Sequence, residues 1–238
     1  MFRTYLTEAL DAYGIRLTDT QTEQFVCYYE LLIETNAVMN LTAITEPKDV
    51  AVKHMADSLS CYDPAYFPQG ASVLDLGTGA GFPGIPLAIY RPDLSITLFD
   101  SLAKRLRFLE TVSRELGLQN VTFLHGRAED LAHQAEHRER YDIVTSRAVA
   151  RLQVLAEWAL PYVKKGGYCI ALKGMQYEEE AQEAKKALFL LGGVIKEMRP
   201  VRLPGLDDKR AVLYIQKEKT CPKLYPRKPK AIKEKPLG

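Results

Sequence analysis

The stretch VLDLGTGAGFPGI, residues 73–85, decides the fold. Its first residues are apolar enough for a buried strand, and the residues from Gly84 onward are typical of a helix. Between them Gly77, Gly79 and Gly81 allow a tight turn and leave no Cβ atoms in the way of a ligand. A glycine loop between a strand and a helix predicts a cofactor cradle.

The residues around this loop bear on the kind of cofactor. Gly79, Gly81 and Gly84 satisfy GxGxxG, a pattern that by itself fits NAD equally well. Asp75 precedes the first glycine by two residues, so we expect its carboxylate at the ligand crevice, where it suits a cationic ligand. The bulky pair Phe82-Pro83 makes the following helix N-terminus a poorer phosphate site. The context therefore argues against NAD.

Two further strand ends carry candidate ligand contacts. Asp100 ends the next β-run, nineteen residues after Gly81, the spacing of a carboxylate that accepts hydrogen bonds from ribose hydroxyls. The alternative is an N-cap for the following helix, although Ser101 is better placed for that. After the third β-run, a backbone N–H near Ala128 or Glu129 is placed to hydrogen-bond the adenine base of a bound nucleoside. The alternative is that Glu129 and Asp130 only complement the dipole of the following helix.

The sequence from residue 72 onward indicates an α/β fold. Five short β-runs alternate with helical stretches, which is typical of a parallel sheet. We predict helices near residues 84–91, 102–117, 128–138, 151–163 and 177–191. The runs GGVIKEMRPVRL and KRAVLYIQK follow with no helix between them, so they should pair antiparallel. A mostly parallel, Rossmann-like seven-stranded sheet that ends in an antiparallel hairpin is typical of class I methyltransferases.

We expect three parts along the chain. Residues 1–66 contain three helical patterns, over residues 2–13, 18–36 and 47–62, and should form an N-terminal helical cap. The predicted methyltransferase domain spans residues 67–217, and a basic, Pro-rich tail spans residues 218–238.

Composition excludes several classes of protein. With 47% hydrophobic and 26% charged residues over 238 positions, the chain is neither collagen-like, nor wholly disordered, nor a membrane bundle. Glu8 and Asp11 interrupt the segment where a signal peptide needs an apolar core, so we expect a cytoplasmic protein with no membrane contact. The four cysteines are widely separated, which predicts free thiols and no metal.

Charge is distributed unevenly. The chain has a net charge of +2, but residues 217–238 hold eight Lys or Arg against two Glu, and the remainder of the chain is acidic. Such a tail predicts either a polyanion partner or a solvated, disordered end. Four of its cations are candidate contacts to RNA, namely Lys223, Arg227, Lys228 and Lys230.

Several motifs together resemble one family. They are DLGTGAGFPGIPLAI, Asn40-Leu41-Thr42, KHMADSL, GRAED, SRAVA and the terminal YPRKP. Over about residues 25–238 the chain resembles the RsmG (GidB) family of bacterial ribosomal RNA methyltransferases, which methylate N7 of a guanosine in the 530 loop of 16S rRNA with S-adenosylmethionine. The resemblance implies cofactor contacts at Gly77, Phe82, Ala128, Glu129 and Arg147, with Asp100 near the ribose. The tail departs from the family pattern, because Lys230-Ala231-Ile232 stands where relatives continue Gly-x-Pro.

The implied reaction needs no catalytic base. Guanine N7 has a free lone pair and no proton, so alignment with the methyl group should supply most of the catalysis. Arg147, at the end of the fourth β-run, should contact either the guanine edge or the cofactor carboxylate. Asn40 and His54 either line the acceptor side or join the cap helices through local hydrogen bonds. Lys173 and Arg210 either contact RNA phosphate or are solvated charges.

The expected partner is 16S rRNA or the 30S ribosomal subunit, and the expected state is a monomer. Two alternatives remain open on sequence alone: a methyltransferase for small molecules, and a module that binds S-adenosylmethionine or a dinucleotide without turnover.

Overall fold

A seven-stranded sheet runs through the centre of the computed structural model, which describes residues 1–238. The strands are β1 (Ser72–Leu76), β2 (Ser95–Asp100), β3 (Val121–His125), β4 (Tyr141–Arg147), β5 (Val163–Lys173), β6 (Gly193–Val201) and β7 (Arg210–Lys217). Their order is β3-β2-β1-β4-β5-β7-β6, and β7 alone runs against its neighbours. The predicted parallel sheet with a terminal antiparallel hairpin is confirmed.

Eleven α-helices and one π-helical segment surround the sheet. The helices before the sheet are α1 (Phe2–Asp11), α2 (Asp19–Met39) and α3 (Pro47–Val50), which continues through a π-helical segment (Ala51–Ala56) into α4 (Asp57–Leu59). The later helices are α5 (Gly84–Tyr90), α6 (Ala103–Glu115), α7 (Ala128–Leu131), α8 (Leu152–Ala159), α9 (Tyr177–Glu183), α10 (Lys185–Leu191) and α11 (Pro229–Glu234). None is long and apolar enough to cross a membrane.

The helix predicted near residues 128–138 is wrong in its length. α7 ends at Leu131, and turns follow it up to residue 139. Residues 133–138 are His-Gln-Ala-Glu-His-Arg and contain no apolar stripe that could be buried against the sheet. Because short helices depend on such burial for their stability, the helix stops after one turn.

Two apolar clusters cover the two faces of the sheet. Neighbouring residues of β1 show the alternation, since Val73 belongs to one cluster and Leu74 to the other. The first cluster also contains Leu6 of α1 and Phe25 of α2, both fully buried. The N-terminal helices therefore share a core with the sheet, and this contact positions them beside the carboxyl ends of the strands.

The C-terminal tail packs against α8. Glu157 of α8 is fully buried, and its carboxylate accepts hydrogen bonds from Arg227 N, Nε and Nη2 at 2.7–2.8 Å. Arg138 donates to the carbonyl oxygens of Cys221, Pro222 and Tyr225. The alternative of a wholly solvated tail is therefore wrong. The prediction that the Arg227 guanidinium contacts RNA is also corrected, because this group is held by Glu157.

Removing the arginine of this ion pair should destabilise the protein. Arg227→Ala leaves the buried Glu157 charge without a partner, at a cost of about 3–5 kcal/mol in the free energy of unfolding. In a Glu157→Gln background the same substitution should cost far less, because no buried charge remains. Urea unfolding measures both, with Arg114→Ala as a control, since Arg114 forms an exposed ion pair with Glu115. Equal losses for Arg227→Ala and Arg114→Ala would contradict the assignment.

Candidate active site

The glycine loop that follows β1 has two faces. Gly79 has a φ of 61°, and a Cβ there would meet no atom closer than 3.9 Å, so the space beyond it is open. Gly81 differs, because a Cβ there would lie 2.8 Å from atoms of Tyr28, Ile85 and Leu109. Gly79 therefore faces a cavity. Gly81 serves close packing beneath the loop instead, which corrects its prediction as a cofactor contact.

Asp75 supports the loop from inside. Its carboxylate is fully buried and accepts hydrogen bonds from Thr78 Oγ1 (2.6 Å), Gly84 N (2.9 Å) and Thr145 Oγ1 (3.1 Å). Burial raises the pKa of this carboxyl to about 6, against the effect of these hydrogen bonds. The expectation that Asp75 faces the ligand is wrong. Its carboxylate instead occupies the Gly84 N–H at the start of α5, a group that a dinucleotide phosphate would need.

A cavity of about 570 Å³ opens above the loop. This volume lies within the range of roughly 300–1,000 Å³ that small-molecule sites occupy. Its lining contains nearly all the predicted cofactor contacts: Gly77, Gly79, Phe82, Asp100, Ala128, Glu129 and Arg147, together with the only tryptophan of the chain, Trp158. The open space beyond Gly79 and this convergence of strand ends fit S-adenosylmethionine.

Asp100 connects the loop to the start of α6. Its side chain is buried, with Oδ2 3.0 Å from Gly79 N, Oδ1 2.9 Å from Leu102 N, and Arg105 Nη1 3.3 Å from Oδ2. Each carboxylate oxygen has two lone pairs, so acceptor capacity remains for ribose hydroxyls. The alternative role as an N-cap is wrong for both Asp100 and Ser101, because α6 begins after Leu102, which is its N-cap. The contact of Asp100 with ribose stays a prediction.

A second cavity, of about 470 Å³, adjoins the first. The two share a wall made of His54, Arg147, Ala148 and Val149. Apart from this wall, the second cavity is lined by apolar side chains and by charged ones, among them Asp57, Lys173, Glu180 and Arg210.

Phe82 organises the shared wall. Its ring stacks on the His54 imidazole with centroids 4.5 Å apart, and the Arg147 guanidinium lies 4.8 Å from its centroid. Arg147 Nη1 donates to Asp57 Oδ2 and to Lys53 O, each at 2.9 Å. The N-terminal helices therefore fix Arg147 where the two cavities meet.

His54 is a neutral partner of Arg147. Its Nδ1 lies 3.2 Å from Arg147 Nη2, and its Nε2 lies 2.8 Å from Thr42 Oγ1. Burial and the neighbouring Arg147 lower the pKa of His54 to about 4. Asn40 lines neither cavity. It follows the last residue of α2 and has a left-handed backbone conformation with a φ of 49°. The prediction of Asn40 as an acceptor-side residue is therefore wrong. The alternative of a local side-chain hydrogen bond is met by Asn36 instead, whose Oδ1 accepts from Thr42 N at 2.8 Å.

Lys173 and Arg210 lie in the second cavity rather than on an outer surface. Lys173 is only 7% exposed, and its ammonium is 2.7 Å from Glu180 Oε2. Arg210 pairs with Asp208 and lies 3.4 Å from Asp57 Oδ1. Both cations are paired with carboxylates of the protein, and this does not favour the predicted contacts with RNA phosphate. Sequence reasoning missed Glu180, because a run of three glutamates gives no sign of which one is buried.

The fold and the first cavity define an S-adenosylmethionine-dependent methyltransferase. Fibrillarin from Aeropyrum pernix, solved with natively bound S-adenosyl-L-methionine, is similar with a TM-score of 0.51 and 20% identity, over 67% of this chain and 73% of that one. Precorrin-6y C5,15-methyltransferase from Geobacter metallireducens gives a TM-score of 0.51 and 15% identity, over 76% of this chain and 91% of that one. At these identities the likeness concerns the fold alone.

Sequence comparison then gives the family. The model of GidB, described as rRNA small subunit methyltransferase G, matches residues 21–206. Ribosomal RNA small subunit methyltransferase G of Alkaliphilus metalliredigens is 48% identical, and that of Desulforamulus reducens 50%, each over 98% of this chain and 97% of the relative. The chain belongs to the rRNA small subunit methyltransferase G family, which confirms the resemblance found in its motifs.

The role of Asp100 can be tested by removing its carboxylate. Asp100→Ala loses acceptors for ribose and the bond that holds Gly79, so affinity for S-adenosylmethionine should fall roughly 10- to 150-fold. Fluorescence of Trp158 or calorimetry measures this affinity. Glu110→Ala, on the exposed face of the following helix α6, is the matched control. Equal affinities in the two variants would contradict the assignment.

His54 should make stability depend on pH. The unfolded chain protonates His54 near pH 6.5, but the folded protein does so only near pH 4, so the unfolded state binds more protons between these values. Stability should therefore fall as pH falls through this window. We expect the wild type to lose about 2 kcal/mol more than His54→Gln between pH 7.5 and pH 5. If urea unfolding shows that wild type and His54→Gln lose the same free energy of unfolding between the two pH values, His54 does not cause the dependence.

Proposed function

We propose that this enzyme transfers a methyl group from S-adenosylmethionine to N7 of a guanosine in the 530 loop of 16S rRNA. The observation that carries the proposal is the shared wall of His54, Arg147, Ala148 and Val149, which lines both the first cavity, where the cofactor fits, and the charged second cavity. A methyl donor in the first cavity and a base in the second would meet at this wall. Membership of the rRNA small subunit methyltransferase G family supports rRNA as the substrate.

The chemistry requires alignment rather than proton transfer. S-adenosylmethionine, when bound, supplies an electrophilic methyl group, and guanine N7 offers a lone pair without a proton. His54 does not have to act as a base, and with its pKa near 4 and both ring nitrogens engaged it instead holds Arg147 in place. Arg147, fixed by Asp57 and stacked near Phe82, limits where an acceptor base can lie.

The second cavity suits an unstacked base. In A-form RNA the groove that contains N7 is deep and narrow, so an enzyme reaches this atom only in a loop or after the base leaves the stack. The apolar side chains of Ile44, Leu172 and Val212 line this cavity and offer a surface for a flat ring. Charged side chains at the same cavity are available to the polar edge of the base.

The tail provides a basic surface for the surrounding RNA. Lys223, Lys228 and Lys230 are exposed, while Arg227 attaches the tail to α8. Because the tail is held on the protein, these lysines have fixed positions relative to the body of the enzyme. We propose that they contact rRNA phosphates, and that the enzyme acts as a cytoplasmic monomer.

One experiment tests the proposed function. The protein is incubated with labelled S-adenosylmethionine and either 30S subunits that lack the methyl group or naked 16S rRNA, and the labelled nucleotide is mapped. Label at N7 of one guanosine in the 530 loop is the expected result. Label on isolated metabolites alone would support a small-molecule methyltransferase. Tight S-adenosylmethionine binding without transfer to any substrate would support a binding module.

The tail lysines should control how RNA binding depends on salt. Replacing Lys223, Lys228 and Lys230 with Gln should flatten the slope of log affinity against log salt by roughly 0.7 per lost contact on single-stranded RNA. Affinity for S-adenosylmethionine should stay unchanged. The matched control replaces Lys48, Lys165 and Lys185 with Gln, three exposed lysines that form no hydrogen bond or ion pair with the tail. If both triple variants have the same slope, the tail does not bind RNA.

A further inference from the structure

The second cavity contains an ion pair that the reaction described so far does not use. Lys173, at the end of β5, and Glu180, on α9, are 7% and 13% exposed, and the Lys173 Nζ–Glu180 Oε2 distance is 2.7 Å. Oε2 also accepts the N–H of Leu152 at 2.8 Å, and Lys173 Nζ donates to Ala150 O at 2.5 Å. Both side chains are thus held from two sides.

Each member of the pair has a polar group to spare. Glu180 Oε1 has no hydrogen-bond partner in the protein, and it is not among the side-chain atoms enclosed without one. Lys173 has three ammonium donors and two protein acceptors. The structural contacts of the pair, with Leu152 N at the start of α8 and with Ala150 O, leave Glu180 Oε1 and one Lys173 donor unused. For a ligand in the second cavity, which both residues line, the pair keeps one ammonium donor and one carboxylate oxygen with two lone pairs.

This arrangement complements guanine and opposes adenine. Guanine carries the acceptor O6 beside the donors N1–H and N2–H₂, which match an ammonium followed by a carboxylate. Adenine carries a donor, N6–H₂, beside the acceptor N1, so the same side chains would meet like partners. A site that leaves buried polar groups unpaired rejects the wrong ligand strongly.

We propose that Glu180 accepts hydrogen bonds from N1–H and N2–H₂ of the target guanine while Lys173 donates to O6, so that this pair sets base specificity; the inference rests on the proposed function. N7 would then lie at the wall shared with the cofactor cavity, since Lys173 and Glu180 line only the second cavity.

The same contact favours the reaction itself. The S–CH₃ bond breaks, its electron pair stays on sulfur, and the N7 lone pair forms the new N–CH₃ bond, so the positive charge moves from sulfur to the guanine ring. No proton is gained or lost. N1–H and N2–H₂ become stronger donors as this charge arrives, and the bonds to the Glu180 carboxylate strengthen in the transition state.

The first test replaces the carboxylate with an amide of the same shape. Glu180→Gln should lower kcat for methylation of 30S subunits roughly 10- to 150-fold with a smaller change in KM, because the lost interaction is strongest in the transition state. Affinity for S-adenosylmethionine, measured by Trp158 fluorescence, should stay unchanged. Glu178→Gln, an exposed neighbour on α9, is the matched control and should behave as wild type. Equal kcat values for Glu180→Gln and Glu178→Gln would overturn the proposal.

The second test changes the substrate, and its first comparison uses the wild type alone. An RNA with inosine in place of the target guanosine keeps N7 and loses the N2 amino group. Wild type should methylate it roughly tenfold more slowly and bind it more weakly in the absence of S-adenosylmethionine, and in Glu180→Gln both differences should shrink to within about twofold. Equal rates on guanosine and inosine by the wild type, or an inosine penalty that Glu180→Gln leaves unchanged, would overturn the assignment.

The two hypotheses fail in different ways. If the wild type labels no guanosine N7 in any RNA, the proposed function fails. If it labels guanosine N7 while Glu180→Gln or inosine has no effect, the proposed function stands and only the role of Glu180 fails.

Discussion

Burial of the Asp75 carboxylate is the constraint on which the site depends. This side chain is completely enclosed and holds three elements at once: Thr78 in the glycine loop, Gly84 at the start of α5, and Thr145 in β4. A buried carboxylate is tolerated only when hydrogen bonds replace its water shell, so the loop must adopt the shape that supplies these donors. That shape leaves Gly79 open to the first cavity.

A second dependence links the N-terminal helices to the reaction. Phe82 belongs to the loop that Asp75 supports, and it stacks on His54, while Arg147 lies over its ring. Asp57 binds Arg147 through Oδ2, and its Oδ1 lies 3.4 Å from Nη1 of Arg210, a residue 153 positions later in the chain. Because these helices share a core with the sheet, they form a fixed wall of the second cavity. The two cavities are therefore parts of one packed unit.

Sequence patterns within a few residues predicted the fold well, but they did not predict the direction in which side chains point. The β1–loop–α5 unit, the strand alternation and the terminal hairpin follow from patterns within a few residues of each other. Asp75 and Lys173 were rightly placed at strand ends, but spacing does not reveal whether a side chain faces a ligand, a loop or a partner such as Glu180. The pairing of Arg147 with Asp57 spans 90 residues, and no periodicity encodes such a contact. Because methylation of guanine N7 needs no catalytic base, the chemistry of the reaction gave no reason to look for a carboxylate such as Glu180.

The placement of cofactor and guanine in the two cavities can be tested by a crystal structure of the enzyme with S-adenosylhomocysteine and a short RNA hairpin that presents an unpaired guanosine. We expect the cofactor product between the glycine loop and Asp100, and the guanine in the second cavity. Guanine N7 should lie within about 3–3.5 Å of the position that the transferred methyl group occupies. A guanine bound outside the second cavity, or with N7 turned away from the wall that contains Arg147, would show that methyl transfer does not take place at this wall.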